Sequence, residues 1–162
     1  MIAILLIVIA VFLLSTLIGH FLHWALHQNW TGRLKKSHMA HHLKMYPPSN
    51  FSSDVYRGTG KDSSLIFFII ALIPLIILLI IIGLLINSVP AMIAGIVTLV
   101  LNGLLHNYIH DSFHINKSWV RRFSSFQRLE KLHYIHHANM RKNFGIFTFY
   151  WDRLFGSFKD YK

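Results

Sequence analysis

The segment Leu65–Ile86, LIFFIIALIPLIILLIIIGLLI, runs for 22 residues without a charged side chain, interrupted only by Pro74 and Gly83. At about 1.5 Å per helical residue it is long enough to cross a hydrocarbon core of roughly 30 Å. Proline breaks a soluble helix, but a spanning helix tolerates it when neighbours satisfy the freed carbonyl. Just beyond, Asn87, Ser88, Val89 and Pro90 read as a tight turn, and Val89–Leu105 is a second uncharged stretch, so the two predict a hairpin of spans. Upstream, Met1–Ile18 carries no charge, and its apolar character continues to about Leu26. It lacks a basic n-region and a small-x-small cleavage site, so it reads as a retained span rather than a cleaved leader. The expected spans are about 1–26, 65–86 and 89–106, within one domain covering 1–162.

The rest of the chain is basic. Of 162 residues 54% are hydrophobic, yet 16 Lys and Arg against 6 Asp and Glu give a formal charge of +10. Six basic residues lie in 28–64 (Arg33, Lys35, Lys36, Lys44, Arg57, Lys61), ten lie in 107–162, and the 87–90 turn has none. The positive-inside rule then puts 28–64 and 107–162 in the cytoplasm. Membrane topology accounts for the charge, and no nucleic-acid partner is expected. The absence of Cys excludes a disulfide framework, a thiolate zinc site and a cysteine nucleophile.

The 12 histidines fall into four groups of three, all on the side assigned to the cytoplasm. His20, His23 and His27 end the first span, and His106, His110 and His114 end the third. His38, His41 and His42 form one H-x-x-H-H box, and His133, His136 and His137 form another. At about 100° per residue, each group occupies one face of a helix. Imidazoles crowded together repel when protonated, unless something binds their neutral nitrogens. A metal does. Twelve ligands exceed what one tetrahedral zinc uses, whereas two ions at four or five imidazoles each use eight to ten. The H-E-x-x-H of a metalloprotease is absent. Glu130 is the only Glu in the chain, which excludes the carboxylate-bridged centre of soluble di-iron bundles. What remains is a histidine-rich dimetal site beneath a helical membrane bundle. Imidazole alone does not choose among iron, zinc, copper and nickel.

The order H-x-x-x-H (His23, His27), H-x-x-H-H (His38, His41, His42), H-x-x-x-H, then H-x-x-H-H (His133, His136, His137) resembles the fatty acid hydroxylase superfamily. That superfamily includes sterol desaturases, fatty acid 2-hydroxylases and carotenoid hydroxylases. The N-F-G at Asn143–Gly145 and W-D-R-L-F-G at Trp151–Gly156 are similar to the segment that follows the last box there. The likeness covers about 15–158. It implies an all-α integral membrane fold with a cytoplasmic helical cap, and two iron ions, with zinc an alternative in purified protein. It also implies hydroxylation or desaturation of a lipid, such as a fatty acyl chain, sterol or carotenoid, with O2. Electrons would come from a small haem or iron–sulfur carrier. The third box reads either as His106 with His110 or as His110 with His114, and the substrate stays open.

Among the carboxylates, Asp111, Glu130 and Asp152 are the candidates to accept hydrogen bonds from the outer nitrogens of ligating rings, with Asn102 and Asn107 weaker. For Glu130 and Asp152 a surface pair with Lys131 or Arg153 is the competing reading. The aromatic run from Phe144 to Phe158 reads as an interfacial belt, and Pro47 and Pro48 as the end of the second box's helix. The competing class is a membrane protein that binds haem or another metal without oxygen chemistry. A haem needs only two axial histidines, which leaves the boxes unexplained.

Overall fold

The computed structural model describes residues 1–58 and 65–161. Part of the segment expected at 28–64, residues 59–64 with Lys61, lies outside the described residues. The described chain is helical, with one isolated bridge between Ser53 and Ile115 and no strand. Six α-helices follow in order: α1 (Ile2–Leu26), α2 (Arg33–Ala40), α3 (Leu65–Leu85), α4 (Val89–Phe113), α5 (Ser124–Ala138) and α6 (Tyr150–Leu154).

Two of these, α1 and α4, have 25 residues each and are long and apolar enough to cross a membrane, while the apolar stretch Ala71–Leu85 of α3 is shorter. Pro90 sits in the first turn of α4, where its missing N–H costs nothing. The helix then continues past the expected end at 106 to Phe113, because no breaker interrupts LHNYIHDSF. His106, His110 and the cap residue His114 therefore stack on one long helix.

The register of the three apolar helices follows from their contacts. A Cβ on Gly95 would meet Ile7, Asn102 donates to Ser15 Oγ at 2.7 Å, and a Cβ on Gly19 would meet His106. The constant offset makes α1 and α4 parallel, so their histidine ends emerge together. Gly83 approaches Met92 and Gly95 approaches Leu79, which makes α3 antiparallel to α4. Val11, Leu79 and Leu99 fill the seam between all three. Glycine at these crossings lets the backbones close up.

Beyond the bundle, Gly32 (φ +57°) turns the chain into α2. Directly after α2, His41–Met45 forms a π-helical turn closed by Tyr46 N–H donating to the His41 carbonyl at 2.9 Å. Pro47 and Pro48 follow it. Phe113, Val120, Phe126 and Ile146 form a second buried cluster that seats α5 on the end of α4. The boxes on α2 and α5 are thereby held over the histidine ends of α1 and α4.

Candidate metal centre

Nine histidines converge in two groups. His23, His27, His38, His42 and His136 each bring a ring nitrogen within 4.8 Å of the others, and so do His41, His110, His114 and His133. Helix geometry explains how one box serves both groups. In H-x-x-H-H the three rings fan across an arc of about 100°. His38 and His42, four residues apart, face the first group, and His41 faces the second. On α5, His133 faces the second group and His136 the first. His137 lies between them, its ring centroid 4.0 Å from that of His42 and 4.8 Å from that of His114.

The remaining two histidines lie outside both groups. His106 packs on Phe147 and against Gly19. His20 points Nδ1 at Asp152 Oδ2, 3.5 Å away. Of the two readings of the third box, the structure brings His110 and His114 together and leaves His106 one turn away.

The outer nitrogens fix the tautomers. His23 donates from Nδ1 to the Phe144 carbonyl (2.7 Å), His114 to that of Phe51 (2.8 Å), His136 to that of Lys142 (2.7 Å) and His137 to that of Tyr46 (2.8 Å). A carbonyl only accepts, so each of these Nδ1 atoms carries the proton, and each neutral ring turns an Nε2 lone pair inward. There the Nε2 atoms crowd. His27 Nε2 lies 3.1 Å from those of His136 and His38, His38 lies 3.0 Å from His42, and His41 lies 3.1 Å from His114. The Nε2 atoms of His23 and His137 are buried with no hydrogen-bond partner among the described residues. Buried, aligned imidazole lone pairs are a donor set that fits metal cations.

The protonation states agree. Burial, reinforced by the neighbouring imidazoles, holds His38, His42, His114, His133, His136 and His137 well below the ordinary histidine range. Burial and the nearby Lys35 charge lower His27 to about 4. In the unfolded chain these rings titrate near the ordinary value of about 6.5. Below that pH the unfolded state takes up protons that the folded state refuses, so stability falls as pH falls. Thermal melts of metal-stripped protein should therefore drop from neutral pH towards about 4, the His27 value. A melting temperature flat across that window would contradict neutral, buried rings.

The carboxylates divide by role. Asp111 Oδ1 lies 3.4 Å from His110 Nδ1, and its Oδ2 accepts from Asn107 at 3.1 Å. Glu130 pairs with Arg121 rather than with a histidine or Lys131, and Arg121 also donates to the Phe113 carbonyl. Asp152 is fully buried and faces no grouped histidine. It accepts from the Phe144 and Gly145 N–H groups at 2.8 Å each and from Ser157 Oγ at 2.6 Å. It thus fixes the loop whose Phe144 carbonyl receives His23. Asn102 is taken up by Ser15, to which it donates, and bonds no histidine among the described residues.

Sequence reasoning missed the carbonyl acceptors at Tyr46, Phe51, Lys142 and Phe144, since every residue carries a carbonyl. It also missed Tyr46, which is fully buried and stacks on His114 at 4.1 Å. An aromatic residue four positions after His42 was the available signal. Phe144, read as part of an interfacial belt, is buried with its ring against His20, His23, His27 and His136.

A family model described as fatty acid hydroxylase matches residues 8–157. Comparison with curated proteins and with solved structures gives no match.

Proposed function

The chain belongs to the fatty acid hydroxylase family, and from that premise we propose that it is a membrane-bound oxygenase that hydroxylates or desaturates a lipid with O2. The observation that carries this reading is the set of four histidines whose Nδ1 protons are tied to backbone carbonyls, leaving Nε2 lone pairs aimed into two buried groups. His23, His27, His38, His42 and His136 would hold one iron ion, and His41, His110, His114 and His133 the other, with His137 placed against both. Bound there, two iron ions would supply the Lewis acidity and redox chemistry that oxidation of a C–H bond by O2 requires.

The protein's own contribution is orientation and exclusion of water. Eight of the nine grouped histidines are buried, and Tyr46, Phe51, Phe113 and Phe144 wall their rings. In our reading α1, α3 and α4 cross the bilayer. The basic segments, and with them the centre, face the cytoplasm, where an acidic haem or iron–sulfur carrier delivers electrons. The lipid presents its chain from the adjoining leaflet.

The test is expression in a lipid-producing host followed by untargeted lipid mass spectrometry. Gain of one oxygen atom is the expected result for hydroxylation, and loss of two hydrogens for desaturation. An unchanged lipid profile from iron-loaded protein supplied with reductant, or a Soret band in the purified protein, would sink the proposal.

A further inference from the structure

After the last histidine box the chain comes back to the bundle. Phe147 sets its ring 6.1 Å from that of Phe12, Trp151 donates from Nε1 to Thr16 Oγ1 at 3.0 Å, and Phe155 places its ring 5.3 Å from that of Phe21. Steps of four residues on this segment match steps of four or five on α1, so the two run side by side in the same direction. Phe147 also packs on His106 of α4, with 5.9 Å between ring centroids. The chain therefore climbs to Phe147 and descends from there through α6 to Phe155.

These contacts lie well up the span. α1 has 25 residues, so it is about 37 Å long against a hydrocarbon core of roughly 30 Å. With α1 read as a span, the cytoplasmic boundary of that core falls within about 7 Å of Leu26. Thr16, ten residues before Leu26, stands about 15 Å up the helix, on the hydrocarbon side of the boundary. Phe12 is higher still.

What the segment shows outward suits that depth. Tyr150 and Leu154, four residues apart on one face of α6, are 59% and 60% exposed. Asp152, the only acid of α6, lies about 200° round the helix from Tyr150 and is fully buried inside the protein. Arg153 brings its guanidinium carbon within 3.6 Å of the Phe158 ring centroid, reaching along the chain towards its exit as a snorkelling cation does. The irregular stretch before α6 is hidden, with Asn143, Phe144, Ile146 and Phe149 buried. The Asn143 N–H donates to the Ser157 carbonyl, and those of Phe144 and Gly145 to Asp152. Non-helical backbone is tolerated at membrane depth only where protein buries it, and this loop meets that condition.

We infer that Phe147–Phe155 is a re-entrant segment, which enters the cytoplasmic leaflet beside α1 and rests the Tyr150–Leu154 face of α6 on lipid acyl chains. The occupant is lipid because this face continues the apolar side of the span: Phe12 and Phe21, which the segment touches, are themselves 39% and 45% exposed. A water-soluble partner would have to pass the head groups to reach it. The inference rests on α1 crossing the bilayer and not on the chemistry of the centre. Its consequence for the centre is mechanical, since the loop leading into the segment supplies the Phe144 carbonyl that fixes His23.

The chain contains no Cys, so a single introduced cysteine carries a single nitroxide. The test uses the full chain in phosphatidylcholine vesicles, labelled at Leu154→Cys or Tyr150→Cys. Ile9→Cys, on the exposed side of α1, is the deep reference, and Arg128→Cys, on the exposed side of α5, is the aqueous one. Spin-echo modulation from D2O reports water at the label, and relaxation by O2 reports hydrocarbon. The labels at Leu154→Cys and Tyr150→Cys are expected to lose most of the D2O modulation seen at Arg128→Cys and to approach the O2 relaxation seen at Ile9→Cys. Should Leu154→Cys fail to fold, Tyr150→Cys, one turn earlier and equally exposed, gives the same reading.

D2O modulation at both α6 labels equal to that at Arg128→Cys, with Ile9→Cys dry, would overturn the re-entrant segment and leave the span standing. A wet label at Ile9→Cys would overturn the span and this inference with it. Dipolar broadening between labels at Leu154→Cys would put a second copy of the chain on the face in place of lipid, and would overturn the inference too. Dry α6 labels in a protein that oxidises no lipid would keep this inference and sink the oxygenase reading alone.

Discussion

His38→Ala should cost the protein about one metal ion per chain and lower lipid oxidation by at least about 100-fold, the upper end of what disturbing an oriented ligand costs. His38 sits at the middle of the first group, its Nε2 3.1 Å from that of His27 and 3.0 Å from that of His42. His133→Ala should do the same to the second group, where its Nε2 lies 3.4 Å from that of His114. Each variant is expected to keep the other group's ion. Metal-free stability is the informative control. Removing one imidazole from a crowded, buried cluster relieves repulsion, so apo melting should move little, while the stabilisation gained on adding metal should shrink. His106→Ala, which alters a ring outside both groups, should retain both ions. Elemental analysis of the three purified variants decides the matter. If His38→Ala and His133→Ala keep two ions and full turnover, the assignment of the centre is wrong.

That contrast marks where the sequence stops being informative. Periodicity places each histidine group on a helix face, and the boxes announce themselves by spacing alone. Whether His106 or His114 joins His110 is not a spacing question, because both lie four residues from it. It depends on how far α4 projects beyond the bundle, and hence on the α1–α4 register set by Ser15 and Asn102. The division of each H-x-x-H-H box between two groups is likewise a tertiary fact. The same arc of three rings could wrap one ion, and only the opposing helix decides otherwise. The π turn at His41–Met45 left no composition signal, since such single-turn bulges are rare and are not announced by a residue type. The carbonyls that fix the tautomers belong to the backbone and are invisible in a sequence. The apolar stretches, by contrast, were legible at once, because a long run without charge stands out in any sequence, and two of them, α1 and α4, are helices long and apolar enough to cross a membrane.

Asp152→Ala should destabilise the fold by about 2–6 kcal/mol, because it strands two buried N–H donors at roughly 1–3 kcal/mol each. The donors are Phe144 and Gly145, in a loop with no room to find substitutes. A Cβ on Gly145 would already stand 2.1 Å from the Thr148 carbonyl oxygen, and Asn143 holds φ +56° beside it. When the loop relaxes, the Phe144 carbonyl leaves His23 Nδ1, and the first group loses one fixed tautomer. Metal affinity there should fall by about 10–100-fold, although Asp152 touches no grouped histidine. Asp152→Asn keeps the shape and one accepting oxygen, so it should fall between wild type and Ala in both melting and metal content.

The acid limb separates the charge from the shape. Burial pushes the Asp152 carboxyl up, but the His20 ring beside it and the hydrogen bonds from Ser157 and Gly145 outweigh that and hold the group below its ordinary range. Its stabilisation is therefore present above the usual carboxylate pKa and is lost as pH falls through the lowered folded value. Asp152→Asn should melt with a flatter dependence across that acid limb than wild type. A variant with wild-type melting and wild-type metal content at neutral pH would mean that the loop holds Phe144 without its carboxylate, and the link from the W-D-R-L-F-G segment to the metal centre would have to be abandoned.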